Sequence, residues 1–308
     1  MEIGEIVGEI VLKLLVPILE ILAPLVPGKI FPYFFTMEML QRSLIAALIV
    51  TFVSGFLGIF LLIRNLALIG DGLAHVSFGA VALSIAFGYA FELEFALFLS
   101  IISAIIIYEL QVREILSGDA SIGIFLTGML ALGLVSLRVW GGGVTTDVES
   151  YLFGNLLLID KESFNLICIV SILSLTFFLS SHKVLLITSV DPLAAQVQGI
   201  PVRMTGLIFS IVTAATVVSM VQVMGALLVT ALLVTPSATS QLVSTSFRSS
   251  FIWAQLFGFV SVITGLYYSA ELETGSGAMI ALVSAIIFGC VAIFQLGVKP
   301  TLFASENN

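Results

Sequence analysis

Apolar residues run along this chain in long blocks, broken by short clusters of charged and turn-forming residues. The blocks lie near 38–63, 66–90, 93–109, 120–140, 163–181, 205–222, 224–242, 249–269 and 277–297. Each approaches the roughly 17–25 residues that a helix needs to cross a bilayer, so the pattern predicts about nine transmembrane helices. The sixth and seventh are parted only by a short "QVMG". Ahead of them, "MEIGEIVGEIVLKLLVPILEIL" has another rhythm. Ile6, Ile10, Leu14, Ile18 and Ile21 recur at helical spacing, with Glu9, Lys13 and Glu20 interrupting. That fits an amphipathic helix lying in the interface better than one crossing the membrane. Its opening acids, Glu2, Glu5 and Glu9, stand where a cleavable signal peptide would be basic. The expected organisation is an interfacial segment over 1–36, a single transmembrane domain over 37–299 and a tail over 300–308, without internal repeats.

Composition agrees. Of 308 residues, 59% are hydrophobic and 10% charged, against about a quarter charged in soluble domains. The expected fold class is an all-α polytopic membrane protein, with short helices in its loops. A net charge of −8 is not the basic footprint of a nucleic-acid binder. Cys168 and Cys290 sit in separate apolar runs and read as small hydrophobes. The placement of charge says more than its sum. Alternate loops carry Arg64, Arg113, His182 with Lys183 and Arg203, Arg248 and Lys299. The others carry Glu92, Glu94, Asp147, Glu149, Asp160, Glu162, Glu271 and Glu273, with Arg138 and Lys161 as their basic residues. The positive-inside rule then places the N-terminus outside and the C-terminus in the cytoplasm.

Two loops stand out. In the inner "HKVLLITSVDPLAAQVQGIPVR", Asp191 reads as an N-cap, Pro192 as the first turn, and Leu193, Ala194, Ala195 and Gln198 as the body of a short helix. Gly199 stops it and Pro201 follows. A plain connector and a docking element for a cytoplasmic partner both fit. The outer "GGGVTTDVESYLFGNLLLID" joins Asp147 and Glu149 to an apolar stretch with Tyr151, Phe153 and Asn155 that is too short to cross. It fits either a re-entrant segment against protein or a water-filled cavity, or a surface loop with an apolar patch.

Within the spans, "LALIGDGLAHVSFGAVALSIAFGYA" holds Asp71 and His75. At i and i+4 they share one helix face, with Cβ atoms roughly 5–6 Å apart. Ionisable residues in a span face a bundle interior or a pathway. One carboxylate oxygen and one imidazole nitrogen suit Zn²⁺, Mn²⁺ or Fe²⁺. The plain alternative is an Asp–His hydrogen bond, with Arg64 snorkelling nearby. Gln222 and Met224 are further pathway candidates, Gln222 the better of the two, since methionines such as Met220 and Met224 also serve as ordinary packing in a span. No G-x-x-x-x-G-K-[ST] motif occurs, and "GGGVTT" has no lysine to reach a phosphate. The chain is therefore not expected to bind ATP by a P-loop, to carry a cofactor of its own, or to be an enzyme.

From about residue 32 the chain resembles the membrane permeases of zinc and manganese ABC importers. The resemblance is carried by "MLQRSLIAALIVTFVSGFLGIFLLIRNLALIGDGLAHVSFGAVAL", "TTDVESYLFGNLLL", "VDPLAAQVQGIPVR", "VMGALLVTALLVTPSATSQL" and "SAELETGSGAMIAL", in that order. It implies a homodimer in the cell membrane, cobalamin-importer-like in architecture. Two cytoplasmic ATPases would hydrolyse ATP below, and an extracellular or periplasmic metal-binding protein would deliver a divalent metal from above. It implies that Asp71 and His75 handle the transported metal, that the Asp191–Gly199 helix couples to the ATPase, and that the stretch around Tyr151 is an outer gate. The acidic N-terminal segment has no recognised counterpart. Other readings are a permease for a metal chelate such as a siderophore or cobalamin, a gradient-driven transporter, and an intramembrane hydrolase built on Asp71, His75 and Ser77.

Overall fold

A computed structural model describes residues 3–88, 92–140, 151–152, 154, 159–226 and 229–305. Helix α1 (Ile3–Leu22) is followed by 3₁₀ turns at Ala23–Leu25 and Phe31–Phe35. Then come α2 (Glu38–Ile63), α3 (Ile69–Phe87), α4 (Glu92–Val112), α5 (Gly118–Val139), α6 (Lys161–Val190), α7 (Pro192–Val197) and α8 (Val202–Met224). Helices α9 (Val229–Leu233), α10 (Thr235–Val243), α11 (Phe247–Glu271) and α12 (Ser276–Ser305) complete the chain. There is no strand among the described residues. The protein is an all-α polytopic membrane protein, and eight of these helices are long and apolar enough to span: α2 to α6, α8, α11 and α12.

The expected span over 224–242 is the one that differs, because it is broken into α9 and α10. Gly225, at φ +81°, ends α8, and Pro236 sits in the first turn of α10, where its missing N–H costs no helical bond. Broken backbone at membrane depth is tolerated only inside protein. Accordingly Val229, Leu232, Leu233, Pro236, Ser237 and Ser240 are buried, among α2, α3, α11 and α12. The carbonyl of Leu233 accepts a hydrogen bond from Ser237 Oγ at 3.3 Å, and that of Ala231 accepts one from Ser284 Oγ at 3.3 Å. Gly58 of α2 is a glycine for the same reason: a Cβ there would lie 2.0 Å from Leu233 O.

Helix α6 has 30 residues, a length of about 45 Å, well beyond a hydrocarbon core of about 30 Å. His182 and Lys183, expected in a loop, therefore lie on its extension. α2 runs through the centre of the bundle, where Phe60 stacks on Phe178 at 6.1 Å and meets Phe209, Phe247 and Phe251. Its most apolar stretch is 78% enclosed by protein, against 17% for α12. An equally apolar sequence thus serves as core in one helix and as exposed surface in the other.

Helix α1 is held to α6, where Asn165 Oδ1 accepts a hydrogen bond from the Gly8 amide at 2.9 Å. It packs through Val7, Val11, Leu12, Leu15, Val16 and Leu19. The stripe of Ile6, Ile10, Leu14, Ile18 and Ile21 that the sequence advertises is its exposed face. The connection to α2 is tied down by Glu271 at the end of α11, whose Oε1 accepts from the amides of Lys29, Ile30 and Phe31 at 2.8, 2.8 and 3.0 Å.

Candidate ion-pathway site

Helix α3 carries Asp71 in its first turn and His75 one turn later. Glycines on both sides of Asp71 bring neighbours close. A Cβ on Gly70 would meet Leu233 Cδ2 of α9 at 2.6 Å, and one on Gly72 would meet Ile122 Cγ2 of α5 at 2.5 Å. Further along, Gly79 crosses Gly133 of α5, where a Cβ on Gly133 would stand 2.8 Å from Gly79 Cα. Small residues at such crossings let helix backbones approach. α3 is thereby clamped, and Asp71 and His75 are presented from a fixed rod.

His75 Nε2 lies 3.7 Å from Asp71 Oδ1, with the His75 side chain 9% exposed and that of Asp71 33% exposed. This is too long for a hydrogen bond, which needs about 2.7–3.2 Å. It is a gap that one divalent ion can bridge, with bonds of about 2.0–2.2 Å to each atom. Arg64 is not a partner of the pair. Its Nε donates to Ser189 Oγ at 2.8 Å and its Nη2 to Thr188 Oγ1 at 3.1 Å, and the guanidinium stands 4.2 Å over the Phe209 ring. Burial there lowers its pKa to about 10, still leaving it charged at neutral pH. Ser77 Oγ is buried without a hydrogen-bond partner, so no nucleophile–base contact joins it to His75 as a hydrolase would require.

His75 Nδ1 is also buried and unpartnered. Histidines of tight metal sites donate that second N–H to an orienting group. Among the described residues no cluster of three or more His, Cys, Asp or Glu could hold a metal. Two donor atoms without an outer partner would hold an ion only weakly.

The other expected pathway residues form a second level. Gln222 Nε2 donates to the Tyr151 hydroxyl, and the Tyr151 carbonyl accepts from the Ala226 amide at 2.9 Å. Gly154, at φ +75°, lies against the backbone of Met224 and Gly225. Tyr151 also packs beside Ala80 and Val81 of α3. Those residues stand nine and ten positions beyond Asp71, about 14 Å along the helix, so the two levels are separate. Burial, with the charges of Glu92 and Asp160, raises the Tyr151 pKa, and its hydroxyl stays neutral. Met224, also expected to be a pathway residue, is 1% exposed, and Met220 is fully buried in the core. Asp147, Glu149, Phe153 and Asn155 lie outside the described residues.

Helix α7 forms as read. Asp191 Oδ1 accepts from the Ala194 amide at 2.9 Å, Pro192 opens the helix, Gln198 caps it and Gly199 follows at φ +80°. Ala195 is fully buried, whereas Leu193 and Val197 are 74% and 90% exposed. Sequence reasoning missed what fastens this region to the bundle. Glu109 of α4 accepts from Arg203 Nη2 at 2.7 and 2.9 Å and from Arg113 at 3.1 Å, while the Tyr108 hydroxyl donates to the Arg203 carbonyl at 2.9 Å. The available signal was an acid in the last turn of a helix, where the dipole disfavours it unless cations compensate.

Residues 36–295 match the ABC 3 transport family. The chain belongs to that family. It is 31% identical over 257 residues to the manganese transport system membrane protein MntC of Halalkalibacterium halodurans, covering 83% of this chain and 87% of that one. It is 32% identical over 251 residues to the high-affinity zinc uptake system membrane protein ZnuB of Haemophilus influenzae, covering 82% and 95%. The solved structure of PsaBC from Streptococcus pneumoniae in complex with Fab superposes with a TM-score of 0.74 at 30% identity, over 84% of this chain and 92% of that one.

Proposed function

We propose that this chain is the permease subunit of an ATP-driven importer that moves a divalent transition metal, manganese or zinc, into the cell. The observation that carries the reading is the Asp71–His75 pair, 3.7 Å apart on the clamped helix α3. It supplies one oxygen and one nitrogen to an ion that water or a second copy of the chain completes. The pathway runs along the axis of a homodimer. A binding protein delivers metal at the face where Tyr151 and Gln222 lie, and an ATPase pair seats the exposed Leu193 and Val197 of α7. In this reading α9 and α10 together make a ninth, broken crossing, which puts the N-terminus outside and the C-terminus in the cytoplasm. ATP closure of the ATPases moves α7, and the Arg203–Glu109 clamp passes that movement to α4, beside α3. Because a ligand shifts a conformational equilibrium only by its differential affinity, ATP and the loaded binding protein drive the cycle, and the weakly held ion follows.

Uptake into vesicles holding the permease, its ATPase and its binding protein tests this. Asp71→Asn and His75→Gln are expected to leave assembly intact and to lower Mn²⁺ or Zn²⁺ uptake by about tenfold or more, at least the effect of losing an outer partner of a metal ligand. Normal uptake in both variants refutes the ion station.

A further inference from the structure

The N-terminal segment lies ahead of the residues shared with the family, yet it helps to build a cavity of about 350 Å³ against α2 and α6. Lys13 and Glu9 of α1, Glu38 and Arg42 of α2, and Lys161 of α6 all line it. This is within the range of small-ligand sites, about 300–1,000 Å³. Arg42 is the buried floor, only 9% exposed. Its Nη1 donates to the Ile159 carbonyl at 3.3 Å and its Nη2 to Glu38 at 3.2 Å. Its Nε, also buried, has no hydrogen-bond partner. A buried guanidinium with an unused N–H is an unmet demand for an acceptor.

The surroundings name the acceptor. Three cations face two carboxylates, leaving one net positive charge. The Lys13–Glu9 pair, at 3.7 Å with side chains 80% and 50% exposed, is a surface pair of little strength, so Lys13 is free to turn to a ligand. Glu38 and Lys161 are the first residues of α2 and α6, so the cavity sits at the membrane–water boundary where those helices begin. Alongside it, α1 exposes the apolar stripe of Ile6, Ile10, Leu14, Ile18 and Ile21. A phosphodiester and an acyl chain are thus both provided for on one helix.

We infer that the cavity binds an anionic phospholipid. Its phosphodiester accepts from the ammonium groups of Lys13 and Lys161 beside the buried Arg42 charge, and its acyl chains lie along the isoleucine stripe. The lipid completes the seam between α1 and the bundle, which makes the N-terminal segment a lipid-dependent brace.

The test is a lipid titration of the purified full-length protein, followed by native mass spectrometry, with phosphatidylglycerol, phosphatidylcholine and glycerol 3-phosphate as probes. Phosphatidylglycerol is expected to bind wild type more tightly than phosphatidylcholine. Lys13→Ala and Lys161→Ala, both at exposed positions, are expected each to weaken phosphatidylglycerol about fivefold and to leave phosphatidylcholine unchanged. Arg42→Gln should abolish the preference, and the lysine variants keep the test valid if that protein fails to fold. Equal binding of the two lipids to wild type, or an unaltered preference in the double lysine variant, overturns the site. Binding of glycerol 3-phosphate as tight as that of phosphatidylglycerol overturns the lipid in favour of a free phosphate ligand.

Discussion

Tyr151 and Gln222 are 71 residues apart in the chain and share one hydrogen bond. Both side chains are half-buried, and each is a hydrogen-bond partner of the other. Tyr151→Phe keeps the ring packing and strands the Gln222 amide. The expected cost is about 1 kcal/mol, between the average for hydrogen bonds in membrane proteins and that for a buried unsatisfied group. Thermal unfolding in detergent should show a lowered Tm for Tyr151→Phe, and Gln222→Leu combined with it should recover part of the loss. An unchanged Tm in the single variant means the bond is not made. The same logic separates Asp71 and His75 from an ordinary structural pair. A 3.7 Å gap stabilises little by itself, so removing either group should cost transport far more than stability.

At the level of the element, α7 divides cleanly into an anchored side and a free side. Ala195 faces the bundle, while Leu193 and Val197, one turn apart, face away from it. A six-residue helix is too short to persist on propensity alone. The Asp191 cap, worth about 1 kcal/mol, and Pro192 hold it in shape for a partner. Leu193→Glu with Val197→Glu should leave Tm unchanged within about 0.5 kcal/mol, as exposed substitutions do, and should abolish co-purification with the ATPase. Retained co-purification would remove α7 from the docking surface. Asp191→Ala should give an intermediate result, with weaker association and a normal fold.

For the whole molecule, the crossing of α3 and α5 is a tight constraint close to the candidate site. A Cβ on Gly79 would lie 2.3 Å from the Met129 carbonyl oxygen, a backbone atom that cannot rotate away. Gly79→Ala should force the two helices apart at a cost of about 1–3 kcal/mol, lowering Tm and reducing uptake through displacement of Asp71 and His75. Gly128→Ala, on the same α5 but with nothing within 4 Å of its added Cβ, is the control and should match wild type in both measurements. Equal behaviour of the two variants would show that the crossing does not position the pathway.

Hydropathy by itself determined the helical class and eight of the spans, because each span reports the solvent its own residues require. The cap residues Asp191, Pro192 and Gly199 likewise declared α7, since capping is chemistry between near neighbours. Charge bias selected an orientation by the same local reasoning. Only the tertiary structure decided that α2 is enclosed and α12 is not, because apolar side chains serve equally well against protein and lipid. It alone decided that the conspicuous isoleucine stripe of α1 faces outward and that the break at Pro236 is sheltered by four other helices. Tyr151 with Gln222, Glu109 with Arg203 and Gly8 with Asn165 meet only through the packing of segments far apart in sequence. Such pairings depend on distances across the bundle, which no local pattern encodes.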